Sequence, residues 1–159
     1  MQTAWIAEYK ADALYQYRSQ KEMADNALAH CDDRAFFAHL WADGDEHTNS
    51  IAILVKHIGG NLRSRWTDFL TSDGEKPDRQ REREFVEEQA DSREAIMQRW
   101  EAGWQVALTT LEALSEQDFA TTVHVRGEPL SVIQAIQRNL LHTTHHVGQI
   151  DLMATALKP

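Results

Sequence analysis

His142 and His146 stand four residues apart in a stretch whose apolar residues recur at helical spacing. On an α-helix that interval puts two imidazoles on one face, about 6 Å apart at Cβ, close enough to share one metal ion. The turn of about 100° per residue separates them from their neighbour. With Ile133 at zero, Ile136, Leu140, Val147, Ile150 and Ala154 cluster, most of them near about 300–340°, while His142 and His146 fall near about 180° and 220° and flank that stripe. His145, near about 120°, lies opposite the stripe and is expected to face solvent.

Two ligands from one helix make a weak site, so a third must come from another element. His57 is the one histidine of a second helical stretch, about 120° from the centre of the stripe formed by Ile51, Ile58 and Phe69. The expectation is three imidazoles at the rim of the core, with coordination positions left for water or substrate. Three neutral imidazoles suit zinc, nickel or another borderline divalent ion, and a three-ligand site with open positions is the catalytic pattern. The same spacings also fit histidines that merely pack and hydrogen-bond at a core edge, and spacing alone leaves both readings standing. His30, His39, His47 and His124 lie in or beside connecting segments and read as solvated surface.

Other polar residues flank the three. Asn61 and Arg65 follow His57 at i+4 and i+8, where they could hold a substrate amide or carboxylate; the alternative for Arg65 is a structural ion pair, with Asp151 as its partner. Gln149, three residues after His146, could orient a ligand or a metal-bound water, or could be an ordinary helix-surface glutamine. Trp100 and Trp104 read as core. Cys31 is the only cysteine, sits in no motif and reads as an inert small hydrophobe, which leaves no internal disulfide and no cysteine-based zinc site.

A cluster of this kind needs rigid elements to hold it. With only 3 Pro and 7 Gly, and helical rather than alternating apolar spacing between them, the chain reads as all-α. Four long helices are expected in one domain over residues 1–159. The first runs from Thr3, as N-cap, to about Ala29, and Phe36, Phe37, Leu40 and Trp41 then form a short packed turn. The second follows the polar stretch Asp43 to Asn49 and ends near Leu70. Thr71 to Glu84, charged and carrying Gly74 and Pro77, reads as a long crossover loop, which permits parallel neighbours. The third helix opens on Asp91 and Glu94 as a capping box. After an extended excursion at Thr121 to Val125, turned at Gly127, Pro129 starts the fourth helix, which occupies Leu130 to Leu157.

Composition narrows the partners. Lys plus Arg number 16 against 25 Asp plus Glu, a net charge of −9, which argues against nucleic acid and anionic membrane. No stretch approaches the roughly 18 apolar residues of a membrane span. The first ten residues, with Glu8 and Lys10, lack the pattern of a signal peptide, so a cytoplasmic location is expected. The large apolar residues, including 5 Trp, gathered in one small bundle predict a homodimer.

The run His142-Thr143-Thr144-His145-His146-Val147-Gly148-Gln149, taken with His57, resembles the HxxxHxGQ arrangement of the DinB-like (YfiT-like) superfamily of metalloenzymes. Ile51 to Lys76, with His57-Ile58-Gly59-Gly60-Asn61, Arg63-Ser64-Arg65-Trp66-Thr67-Asp68-Phe69 and Gly74-Glu75-Lys76, more narrowly resembles a branch of it with no assigned function. The resemblance covers nearly the whole chain. It implies a four-helix bundle in up-down-down-up order, the long crossover joining helices two and three, and one divalent ion held by His57, His142 and His146. It also implies a metal-dependent enzyme that activates a low-molecular-weight thiol for transfer to a small electrophile. The rivals are a metal-dependent hydrolase activating water and a non-catalytic metal- or ligand-binding bundle, the latter disfavoured because no fourth protein ligand closes the site.

Overall fold

The computed structural model describes residues 4–40 and 49–158. Thr3, Trp41, His47 and the stretch 43–48 lie outside them. The described chain is mostly helical: α1 (Ala4–Ala29), α2 (Asp33–Phe37), α3 (Ile51–Trp66), α4 (Arg81–Glu84), α5 (Arg93–Ala113), a 3-10 turn (Glu116–Ala120), β1 (Thr122–Val125), β2 (Glu128–Ser131) and α6 (Val132–Ala156). None of these helices is long and apolar enough to cross a membrane.

Side-chain caps decide where the long helices begin. Ser50 Oγ accepts from the Ile53 amide at the start of α3, satisfying one of the amides that a first turn leaves without a partner. Helix α5 starts one residue later than the expected capping box, with Ser92 Oγ accepting from Ala95 N at 3.2 Å. Asp91 is unavailable as a cap because its carboxylate takes the Lys56 ammonium at 2.6 Å and the Glu88 amide at 2.9 Å. The start of α6 is also corrected. Pro129 lies in β2 opposite His124, and the helix opens on a capping box between Ser131 and Gln134. The expected extended excursion is one strand of a two-stranded hairpin, closed by Arg126 (φ 56°) and Gly127 (φ 75°). Two consecutive left-handed residues are what a tight hairpin turn of matching twist requires, and glycine adopts that conformation without a Cβ clash.

Helix α3 is the centre of the packing: thirteen of its sixteen residues are buried, and only Arg63 is exposed. It runs parallel to α5, with Gly59 beside Arg99 and Gly103, and further along Thr110 Oγ1 donating to Trp66 O at 3.2 Å. A Cβ on Gly103 would stand 2.5 Å from the Gly59 carbonyl, so this approach depends on glycine. Against α6 it runs antiparallel, His57 meeting His142 and Asn61 meeting Asn139. Helix α1 is parallel to α6, with the Tyr9 hydroxyl donating to the Ile133 carbonyl and the Tyr17 hydroxyl beside the Ile136 carbonyl, 3.2 Å away. It is antiparallel to α5, where Lys10 reaches Leu114 O and Asp25 accepts from Trp100 Nε1. Tyr17, Trp66, Trp100 and Trp104 are wholly buried and meet edge to face, at centroid separations of 5.5 Å for Tyr17–Trp66 and 5.4 Å for Trp100–Trp104.

Candidate metal centre

The antiparallel seam between α3 and α6 brings three histidines together. Their azimuth is fixed one turn away by a buried amide pair, Asn139 Nδ2 donating to Asn61 Oδ1 at 2.7 Å. Asn139 Oδ1 accepts from Tyr17 OH at 2.9 Å and Trp66 Nε1 at 2.8 Å, so three helices share one polar lock. Past this lock, His57 from α3 meets His142 and His146 from adjacent turns of α6, with ring centroids 4.9, 5.0 and 4.6 Å apart. One ring nitrogen from each lies within 4.8 Å of the other two, a group that could hold a metal ion. His57 Nε2 and His142 Nε2 face each other at 3.0 Å, against about 3.4 Å for two nitrogens on one tetrahedral zinc with bonds near 2.1 Å.

Outer partners turn lone pairs inward. Glu84 Oε2 accepts from His57 Nδ1 at 2.9 Å, which fixes the hydrogen on Nδ1 and, in the neutral ring, leaves the Nε2 lone pair for the cluster. Burial opposes ionisation of Glu84, but hydrogen bonds from His57 and Arg79 outweigh it and hold the carboxyl below the usual range. Arg79, itself buried, grips Glu84 through Nε at 2.8 Å and a terminal nitrogen at 2.7 Å. On the other side Gln149 Oε1 accepts from His146 Nδ1 at 2.7 Å, and the lone pair of that ring again points inward. His142 Nδ1 is buried without a partner among the described residues.

Burial first, then the neighbouring imidazoles His146 and His57, lower the His142 pKa to about 3, so this ring is neutral at physiological pH. Burial also lowers His146, against a raising contribution from Gln149. The donor set could therefore hold a metal ion: three imidazoles converge, His57 and His146 are oriented from behind, and His142 and His146 are only partly buried so that solvent reaches one side.

The expectation of three rings at the rim needs correction for His57, which is 3% exposed. The crossover covers it. Helix α4 ends at Glu84, and the following Phe85 ring lies 4.5 Å from the His57 ring. Gly60 makes room for this cover, since a Cβ there would collide with the Glu84 carboxylate. Arg65 pairs with Glu75 at 3.0 Å and with the Gly74 carbonyl, tying α3 to the crossover, while Asp151 is exposed and not its partner. Asn61 is buried in the polar lock. His145 is exposed beside His146, His30, His39 and His124 are exposed, and Cys31 is buried.

Glu84, Arg79 and Phe85 were not identified from the sequence. Their stretch has no apolar periodicity, and the His57–Glu84 contact spans 27 residues, so no local spacing announces it.

A family model described as "Protein of unknown function (DUF1572)" matches residues 4–159. No curated protein and no solved structure matches the chain.

Proposed function

Because the chain belongs to the DUF1572 family of unknown function, its site has to supply the chemistry, and we propose a divalent-metal-dependent enzyme of the DinB-like kind that transfers a low-molecular-weight thiol to a small electrophile. The observation that carries this reading is the inward convergence of His57, His142 and His146 with Glu84 and Gln149 behind two of them. These three residues would hold zinc or nickel. Such an ion, when bound, supplies a positive charge that lowers the pKa of a thiol at neutral pH.

The protein's own residues do the rest. Glu84, gripped by Arg79, keeps His57 in one tautomer and one orientation. Gln149 does the same for His146. The burial of His57 beneath Phe85 keeps water from that side, leaving access past the partly exposed rings of α6. No carboxylate joins the histidine group among the described residues, and Glu84 is already engaged by His57 and Arg79. A thiolate needs no positioned base, whereas attack by water is served by one, which favours thiol transfer over hydrolysis.

The reading includes a four-helix bundle of α1, α3, α5 and α6 in up-down-down-up order. It is supported by parallel registers for α3 with α5 and α1 with α6, and antiparallel registers for α1 with α5 and α3 with α6. It also includes a homodimer, supported by exposed Tyr15, Leu141 and Leu152, which a molar mass by light scattering tests.

The experiment for the function is elemental analysis of protein purified without an affinity tag, followed by assay with a panel of thiols and 1-chloro-2,4-dinitrobenzene. Metal-dependent thioether formation is expected. Hydrolysis of ester probes without thiol would replace this reading with the hydrolase, and bound metal with no turnover of either kind would replace it with a binding protein.

A further inference from the structure

On the other side of Glu84 lies a cavity of about 880 Å³ that the histidines do not line. Its walls come from three elements. Helix α3 contributes Gly59, Gly60 and Arg63, α5 contributes Ala95, Arg99 and Ala102, and the crossover closes over the groove between these parallel helices. Small residues on both helices leave the floor open. The volume is in the range of small-molecule sites.

The lining is cationic in an acidic chain. Six Lys or Arg side chains face it against four carboxylates, whereas the whole chain carries −9. Four of the six are already engaged: Arg79 with Glu84, Arg83 with Glu88, Lys56 with Asp91, and Lys76 with the Asp73 carbonyl. The guanidinium groups of Arg63 and Arg99 have no hydrogen bond or ion pair among the described residues. They stand on neighbouring helices within about one turn of each other in the parallel register, since Gly59 abuts Arg99 and Arg63 follows Gly59 by four residues.

We propose that this cavity is a second site, which binds a small oxyanion-bearing molecule, carboxylate or phosphate, through Arg63 and Arg99. A planar guanidinium offers paired donors that match an oxyanion, and two such groups supply the charge that the engaged cations no longer offer. Gly59, Gly60, Ala95 and Ala102 leave room for the body of the ligand.

The test is an NMR titration of the full chain with inorganic phosphate and with citrate, glycerol serving as the neutral control. Saturable amide shifts are expected at residues 59–67 and 95–102, with none from glycerol. Arg63→Gln and Arg99→Gln should each weaken binding about tenfold, and Arg18→Gln, on the outer surface of α1, should leave it unchanged. Circular dichroism establishes that the variants are folded. Shifts confined to residues 142–149 would place the anion at the histidines and overturn the proposal, as would equal affinity in all three variants or no saturable shift at all.

Discussion

Helix α3 meets α6 and α5 through faces of opposite chemistry. Toward α6 it presents His57 and Asn61, each tied to a polar partner across an antiparallel seam. Toward α5 it presents Gly59, which lets two parallel backbones approach closely beside the buried Trp100 and Trp104. The difference divides the labour. The α5 face supplies stability through close packing, where each added or lost methylene is felt. The α6 face gives up apolar contact for oriented ring nitrogens, at a place where the Asn139 lock fixes the helices independently. Changes on the α6 face are expected to remove metal and leave the fold; changes on the α5 face should do the reverse.

The largest effect falls on the α6 face. His146→Ala removes one of the three proposed ligands and is expected to abolish metal retention, measured by elemental analysis, while the helical circular dichroism stays at the wild-type level because stability rests on the apolar stripes. Loss of the fold together with the metal would break the division, and would make His146 a packed core residue.

Next in size is Asp91→Asn, at the start of α5. Lys56 and Asp91 form an ion pair with side chains 4% and 6% exposed. Removing one member of a buried pair costs about 3–5 kcal/mol, mostly from the charge left behind. The effect depends on pH in a defined direction. Burial raises the Asp91 pKa, but the Lys56 ammonium and the Glu88 amide overcome this and hold it below its ordinary value. A carboxyl depressed in the folded state contributes its stability above its unfolded pKa, near about 3.9, and loses that contribution as pH falls through the folded pKa. Urea melts should therefore show the largest gap between wild type and variant at neutral pH, narrowing below about pH 4. A gap that widens in acid would reverse the assignment.

Gly103→Ala sharpens the same comparison at lower amplitude. The added methyl would press on the Gly59 carbonyl, and backbone gives less readily than a side-chain end. Overpacking of this kind costs about 1–3 kcal/mol, read as a lower midpoint in thermal or urea unfolding, with metal content per folded chain unchanged. Glu84→Gln tests the α6 face without deleting a ligand. The amide oxygen still accepts from His57 Nδ1 but lacks the charge that makes the ring a better donor, so metal affinity should fall about tenfold, the low end for partners behind a ligand. Unchanged affinity would make Glu84 a partner of Arg79 alone.

What the sequence disclosed and what it hid divide along the same lines. His142 and His146 were legible because helical phase is local, and His57 because its helix holds no other histidine. The cover over His57 was not legible, since Glu84 and Phe85 come from a charged stretch with no period and reach α3 only through the folded crossover. Helix starts failed by one to three residues where a second partner competed: Asp91 has the form of a cap but is taken by Lys56, and Pro129, suited to a first helical turn, is carried into a strand by the left-handed pair Arg126 and Gly127. The start of α6 is set instead by the Ser131–Gln134 capping box.

The smallest effect is the most specific. His145 adjoins His146 in the chain, and its ring centroid is 5.1 Å from that of His146, so proximity alone would make it a ligand. Phase separates them. A 100° step turns His145 to the exposed side of α6, while the His146 nitrogen joins the group with His57 and His142. His145→Ala should therefore keep the full metal content and change stability by less than about 0.5 kcal/mol, as exposed substitutions usually do. Parallel elemental analysis of the His145 and His146 variants reads this directly. Equal loss of metal from both would mean that α6 is rotated from the orientation described, and the convergence of His57, His142 and His146 would lose its meaning. Metal kept by the first and lost by the second follows only if the phase of α6 against α3 selects the ligands.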